Sequence, residues 1–368
     1  MSKHIVIDAR IRRSSTGRYV DRLMEHLQDV DTTNRYTVLI EPDDDWHPKA
    51  VNFSTIKCTY PQFSLNPLHQ IGFAWQMYRL NPDVAHFLNQ QPIFYFGNIV
   101  TTTMDLTMLR YTRPGKTPLP IFWIKMAGYR FLFWWSHRKS KQIITISDYV
   151  KEELTKKYPF IKGRVTTTHC ASEPPLKVES QKLKVESLRE PFIFAVGTAF
   201  PHKNLERLIK AFEKIHDSRP ELKLVLAGKK EYHYEQLEKF ADKSPARDNI
   251  IFTGFVPDEQ LKWLYEHASV YVFPSLSEGF GLPGLEAMAH DLPVASSNAT
   301  SLPEINGDAA HYFDPRDVDD MAAKITEVLE DEGLRKELIK KGRKQRKKFS
   351  WRKMAEQTLG VYRKALRD

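Results

Sequence analysis

At 368 residues the chain exceeds one average domain, and a division into about two to three domains with real cores is expected. Hydrophobic residues at 41% and charged residues at 27%, with ordinary glycine and proline, exclude a disordered, collagen-like or membrane-spanning bundle class and point to a soluble α/β protein. Lysine and arginine number 55 against 46 aspartate and glutamate, a formal +9 that favours anionic partners: phosphate-bearing small molecules, an anionic membrane surface or nucleic acid.

In chain order, HIVIDA (4–9), YTVLI (36–40), NIVTTTMD (98–105) and KQIITIS (141–147) read as buried strands. Helical patterns over 16–28 and 148–158 lie between them, and such alternation predicts a parallel sheet covered by helices. MSKHIVIDAR runs straight into the first strand with no apolar signal segment. Two isolated cysteines, Cys58 and Cys170, suit neither a disulfide framework nor a zinc cluster, so a reducing cytosol is the expected compartment.

Residues 173–190 are charged and strandless, and they read as a linker; LKVES occurs there twice, at 176–180 and 183–187, too few copies for a coiled coil. Alternation then restarts with strands at 192–197, 222–228, 249–254 and 269–275 and helices at 204–216, near 234–241 and at 258–268. The expected division is an N-terminal Rossmann-like domain over 1–172, a second over 191–350, and a C-terminal helix over 351–368 returning to the first. Ligands of open α/β sheets bind at the carboxyl ends of strands, so a cleft between the halves is the expected site. The basic run GRKQRKKF (342–349) has no aromatic stacking set beside it and reads as a solvated helix face, with no nucleic acid partner expected.

SEGFGLPGLEAMA (277–289) carries two competing patterns. From Gly279 to Gly284 it spells the G-x-G-x-x-G of a dinucleotide fingerprint, with Glu304 twenty residues on as the ribose-binding acid. From Glu278 to Glu286 it is instead two carboxylates eight residues apart around a glycine-rich turn. Both readings share a strand, a turn and a helix N-terminus, where the backbone N–H groups of Phe280, Gly281 and Leu282 and the helix dipole favour phosphate. The turn follows at least three strands of its half, whereas a dinucleotide fingerprint opens its domain. Glu278 in the loop suits sugar hydroxyls, and Glu286 on the helix suits vicinal ribose hydroxyls, because a carboxylate accepts two donors at once.

EGFGLPGLE resembles the E-x7-E motif of retaining GT-B glycosyltransferases of family GT4, and residues 253–315 resemble that family's donor domain almost end to end. VGTAFPHKNLERLIKAF is similar as well; in the first half the similarity is thinner, carried by DARIRRSSTGRYVDRL and TTTMDLTMLRYTRP, and points to the branch building bacterial polysaccharides and lipopolysaccharides. The resemblance implies a GT-B α/β fold of two Rossmann-like domains and a retaining, metal-independent hexosyltransferase that uses a nucleoside diphosphate sugar.

Lys203 falls where the resemblance places the lysine gripping the donor diphosphate; a compact ammonium there would stabilise charge growing on the leaving group. The usual arginine before it is His202, so the second cation is either a protonated His202 or another residue such as Arg207. Gly17, between Thr16 and Arg18, is implied to face the donor phosphate and sugar, although T-G-R also reads as a plain helix start. Gly254 and Phe255 are implied to hold the nucleobase by main chain, with further donor contacts at Thr198 and Gly279, and Glu304 reads as structural. Many relatives show His-Asp where this chain has Met104 and Asp105. A thioether takes no proton at neutral pH, so either Asp105 takes the orienting role, or the departing phosphate itself accepts the acceptor's proton, or transfer is weak.

EPDDDW (41–46) can be read as the metal-binding D-x-D of the other major glycosyltransferase fold, but an acidic surface loop is the preferred reading, with no metal and no cofactor beyond a GDP- or UDP-sugar. LPIFWIKMAGYRFLFWW (119–135) followed by SHRKSKQ is too short and too charged to span a bilayer; it fits an interfacial helix, or a buried one. The expected activity is transfer of a hexose, mannose or glucose-type, to a glycan or lipid-linked acceptor, in the cytoplasm or peripherally on the inner face of the plasma membrane through 119–139. Two alternatives stay open: an NAD(P)-dependent oxidoreductase using GFGLPG, and a catalytically weak sugar-nucleotide-binding subunit.

Overall fold

The first half has seven strands, all but the two at the sheet's edges buried nearly throughout, which is why those five read as unbroken apolar or β-branched runs and not as alternating ones. The seven are β1 (His4–Asp8), β2 (Arg35–Ile40), β3 (Phe53–Lys57), β4 (Val84–Phe87), β5 (Ile99–Thr103), β6 (Gln142–Thr145) and β7 (Val165–Thr167). All pair in parallel, in the order β3-β2-β1-β4-β5-β6-β7. The connecting helices are α1 (Gly17–Val30), α2 (Pro67–Leu80), the single turn α3 (Thr107–Arg110), α4 (Leu119–Lys139) and α5 (Asp148–Lys157). This computed structural model describes residues 2–14, 16–62, 64, 66–89, 94–111, 117–173 and 191–367. The linker read at 173–190, with both LKVES copies, lies outside the described residues apart from Glu173.

Local chemistry sets the helix limits. On α1 the buried residues Tyr19, Val20, Leu23, Met24 and Leu27 recur at helical spacing and form one core-facing stripe. Asn66 caps α2 by accepting from the Leu68 N–H at 3.0 Å, Pro67 fills the first turn, and Asn81 ends the helix in the left-handed region. Ser147 caps α5 through the Val150 N–H.

β5 carries three buried threonines, Thr101, Thr102 and Thr103, in a position where unpaired hydroxyls would be costly. Each has a partner: Ser140 Oγ at 2.7 Å, His86 Nε2 at 2.8 Å and His137 Nε2 at 2.7 Å respectively. The other ring nitrogen of His86 is hydrogen-bonded to the Tyr362 hydroxyl at 2.7 Å.

The second half repeats the plan with β8 (Phe192–Val196), β9 (Lys223–Ala227), β10 (Ile250–Gly254), β11 (Val270–Phe273), β12 (Val294–Ser297) and β13 (Ala310–Phe313), in the order β10-β9-β8-β11-β12-β13 and all parallel. Its helices are α6 (Leu205–His216), α7 (Tyr232–Ala241), α8 (Asp258–His267), α9 (Leu282–Ala289), α10 (Leu302–Asn306), α11 (Val318–Glu330) and α12 (Glu332–Gln345). One core joins Ile193, Leu224, Val270 and Val272 of the sheet to Leu208, Phe212 and Ile325 of the helices. The basic run at 342–349 covers the end of α12, where Arg343 makes two hydrogen bonds to Asp291 at 2.7 Å.

The chain divides into two compact units: Met1–Leu109 with Lys116–Cys170 and Ser350–Asp368, and Arg110–Gly115 with Ala171–Phe349. The last helix, α13 (Trp351–Arg367), therefore belongs to the first unit, where it lies on α1 and brings Tyr362 to His86. Cys58 and Cys170 are both free and buried.

Burial pushes the His86 imidazole down to about 3 and His137 down to about 4, so both stay neutral in the folded unit at mildly acidic pH. In the unfolded chain they titrate near 6.5, as free histidines do, so below that pH only the unfolded state gains protons. Stability is therefore fully present above about pH 6.5 and drains as pH falls toward 4, by about 1.4 kcal/mol per pH unit for each histidine. Denaturant melts between pH 7.5 and 5 should show this slope, and His137→Gln should make it shallower by about one histidine's share; an unchanged slope would contradict the assignment.

Candidate functional site

In the second sheet the chain leaves β8 toward β9 on one side and β11 toward β12 on the other, so the connections that follow these neighbouring strands diverge. Such a switch point opens a crevice at the carboxyl ends of the two strands. The loop after β8 runs from Gly197 through a 3-10 turn at Pro201–Lys203 to Asn204, whose φ of 61° starts α6 from the left-handed region. The loop after β11 runs from Pro274 to Gly281 and enters α9, with Pro283 in its first turn.

The two loops are tied together in three ways. The Leu276 N–H donates to the His202 carbonyl at 2.7 Å. Buried Asn204 donates through Nδ2 to the Pro274 carbonyl at 3.0 Å and to the Pro315 carbonyl at 2.7 Å. Lys203 Nζ donates to Glu278 Oε1 at 2.7 Å, with side chains only 21% and 12% exposed. The ammonium also stands 6.0 Å from the centre of the Phe273 ring. A pair so far removed from water interacts more strongly than a surface pair, and each partner would be costly to leave alone.

Hydroxyls from neighbouring elements fix the glutamate. Ser275 Oγ donates to Glu278 Oε1 at 2.6 Å, and Thr300 Oγ1 accepts the Glu278 N–H at 3.0 Å. Ser301 Oγ donates to the carbonyls of Glu278 and Phe280, each at 3.1 Å. Gly279 therefore lies between two anchored carbonyls, and Phe280 is buried edge-on against Phe349. Gly281 has φ of 108°, and a Cβ there would come within 2.7 Å of Leu302 Cδ2, so both backbone and space demand glycine before Leu282 opens the helix. Glu286, one turn into α9, accepts from the Tyr265 hydroxyl at 3.0 Å, and the Tyr265 ring stacks on His290.

Thr198 shares the β8 loop, and the other sequence-predicted residues lie on other elements. Gly254, with φ of 68°, ends β10 and donates its N–H to the Tyr234 hydroxyl at 2.8 Å, while Phe255 after it is exposed. β10 is an edge strand with β9 between it and β8, so these residues stand about 10 Å from the switch point, two strand spacings. Thr198 lies in the β8 loop, its carbonyl accepting the Phe200 N–H at 2.8 Å. Gly17 and Asp105 belong to the first unit. Gly17 opens α1, where a Cβ would fall 1.8 Å from the Arg12 carbonyl oxygen, and Asp105 accepts the Thr107 N–H at 2.6 Å to cap α3.

Two further sequence readings gain partners in the fold. Asp43 is paired with Arg13, and buried Asp44 accepts from Arg12 at 2.5 Å and from the Trp46 N–H at 2.9 Å, so arginines hold two of the three aspartates of this acidic loop. Arg207, a candidate second cation, donates to Asn204 Oδ1 at 2.8 Å and lines a cavity of about 370 Å³ with Phe200, Asn204, Lys210 and His233. Ser275, Thr300, Ser301 and Tyr265 escaped the sequence reading, although the hydroxyl-rich SSNATSL (296–302) beside the motif was a signal for two of them.

The glycine pattern at 279–284 follows β11, the fourth strand of its unit, whereas the first strand β8 leads into GTAFPHKN, which has no such pattern. A dinucleotide fingerprint belongs at that first turn, so the oxidoreductase alternative is not supported.

Comparison with known proteins agrees with this geometry. Residues 178–345 match the family described as glycosyl transferases group 1. Over 308 residues, 80% of this chain and 78% of its relative, the sequence is 34% identical to the O-antigen chain mannosyltransferase B of Escherichia coli. It is 28% identical to the O-antigen chain mannosyltransferase RfbU of Salmonella typhimurium over 65% of this chain and 69% of that one. The sucrose-phosphate synthase of Thermosynechococcus elongatus, at 19% identity, aligns over 98% of each chain with a TM-score of 0.74, a likeness of fold: the two parallel Rossmann-like units of the GT-B architecture.

A double-mutant cycle on Lys203→Ala and Glu278→Gln should return a coupling energy of about 1–3 kcal/mol in unfolding, and additivity within about 0.5 kcal/mol would show that the contact carries no energy. Gly281→Ala should lower the melting temperature of the second unit, since its Cβ has no room and its φ is strained.

Proposed function

This chain belongs to the glycosyl transferases group 1 family, and from that premise we propose that it transfers mannose from GDP-mannose to a growing glycan on a lipid carrier during surface polysaccharide synthesis. Mannose is favoured over a UDP-linked hexose because two relatives, one of them aligned over most of both chains, are O-antigen mannosyltransferases. The observation that carries the site assignment is the Lys203–Glu278 contact at the β8/β11 switch point.

Each charge of that contact neutralises the other. An arriving diphosphate offers Lys203 a stronger partner, and the exchange releases Glu278 to accept hydroxyl protons of the sugar. The main-chain N–H groups at Phe280–Leu282 and the positive end of α9 add to the hold on phosphate. Glu286, steadied by Tyr265, takes the ribose hydroxyls, and Gly254 and Phe255 take the base. Within the first unit, Asp105, with one oxygen on Thr107, serves the acceptor, and Gly17 is held for the sugar.

Transfer breaks the bond between the anomeric carbon and the β-phosphate oxygen and forms one from that carbon to the acceptor oxygen on the same face. The acceptor's proton goes to the departing phosphate, which is why a thioether at Met104 does not stop the reaction. Lys203 balances the charge that grows on the leaving group, the task a divalent cation performs in other glycosyltransferases. A second reading, a weakly catalytic sugar-nucleotide-binding subunit, is favoured only by Met104.

Incubation with GDP-mannose, UDP-glucose and UDP-galactose and a lipid-linked oligosaccharide acceptor tests the proposal. Transfer from GDP-mannose alone, unaffected by EDTA and giving an α-linkage by NMR, is expected; donor binding without transfer to any acceptor favours the second reading. In calorimetry Glu286→Ala should weaken GDP binding about tenfold, whereas Glu278→Ala should cut turnover about a hundredfold or more with little change in GDP affinity. Equal and negligible effects would contradict both roles.

A further inference from the structure

Two helices of the first unit bury one apolar face and turn a second toward water. On α2, Phe73, Ala74 and Met77 enter the core, while Leu68, Ile71, Trp75 and Tyr78 line the solvent side at spacings of three, four and three residues. On α4, Phe122, Met126 and Phe133 face inward, while Ile124, Phe131 and Trp134 face out along one stripe with Trp123 beside it. The outward residues are far from marginal: Leu68 is 75% exposed, Ile124 72% and Trp75 59%. A soluble helix ordinarily shows water a polar face, and contiguous exposed apolar surface marks a binding surface.

The segment Phe94–Phe96 joins the two stripes. The Tyr78 hydroxyl of α2 donates to the Phe94 carbonyl at 3.3 Å and accepts the Phe96 N–H at 3.0 Å. The exposed Phe96 ring in turn carries the ammonium of Lys139, at the end of α4, at 4.3 Å from its centre, and Lys139 also stands 5.8 Å from the Trp135 ring. On α2 the Arg79 guanidinium lies over the Trp75 ring at 4.7 Å.

The charges on this surface have one sign. Neither α2 nor α4 contains an aspartate or glutamate, whereas Arg79, Lys125, Arg130, Arg138 and Lys139 lie along them. Among the described residues no helix is long and apolar enough to cross a membrane. Tryptophan and tyrosine among aliphatic side chains, edged by cations alone, match the interface of an anionic bilayer: rings settle at the headgroup level and basic groups meet phosphates.

We propose that α2, Phe94–Phe96 and α4 form a single surface by which the first unit lies on an anionic membrane. The two helices act together, so that neither alone holds the protein there. The surface stands on contacts within the first unit and not on the transfer reading, so either can fail without the other.

Flotation of the full chain with phosphatidylcholine vesicles, with and without 30% phosphatidylglycerol, tests it. Binding is expected with the anionic vesicles and weakly with the neutral ones, and it should fall at high salt. Ile71→Glu and Phe131→Glu, exposed positions on different helices, should each lower the partition coefficient at least tenfold while leaving circular dichroism and the melting temperature unchanged. Arg79→Glu with Arg138→Glu should lower it at least about twentyfold, by loss of about fivefold per cation. The proposal is overturned if anionic vesicles leave the chain unbound, if Ile71→Glu binds as well as the parent, or if light scattering shows that the surface instead pairs two copies of the chain and the glutamate variants separate them.

Discussion

The loops after β8 and β11 are held together around one charged contact, the ion pair between Lys203 and Glu278, and that contact exists because of a strand order. Parallel strands β8 and β11 are neighbours in the sheet but not in the chain, so their following loops meet with no connection between them. Opposite charges 2.7 Å apart, mostly hidden from water, close that gap, and Ser275, Thr300 and Ser301 hold the carboxylate's loop where the lysine can reach it. Charge is balanced within the contact, so neither group is left alone away from water.

Much of the architecture was legible in the sequence because buried parallel strands leave a blunt signal. HIVIDA and FIFAVG announce β1 and β8, and amphipathic spacing announces α1 and α6. β3, with two of its five residues exposed, and the three-residue β7 lack that signal, and their partners, not their own composition, make them strands. α2 was hidden for a different reason: apolar side chains on both of its faces blur the periodicity that identifies a helix.

The site was readable in part. SEGFGLPGLE and the lysine before Asn204 are compact strings, and the structure joins the two through Lys203 and Glu278. What could not be read is company over long separations in sequence: Tyr265 beneath Glu286, Asn204 bridging to Pro315, arginines folded onto Asp43 and Asp44. A lone polar residue has no period and no spacing rule, so only the fold reveals whom it meets. The same holds for the threonines of β5, which look like an ordinary strand until His86, His137 and Ser140 are found opposite them.

The first unit is assembled from stretches far apart in the polypeptide, since α13 lies on α1 and sets Tyr362 against His86. On the ribosome, the seven-stranded sheet therefore emerges long before the helix that covers one of its faces, and it must wait, partly uncovered, while the whole second unit is synthesised. The second unit meets no such delay, because Ala171–Phe349 supplies nearly all of it in one continuous run. A truncation that removed Ser350–Asp368 would accordingly cripple a unit made long before the cut, and not the unit just upstream of it.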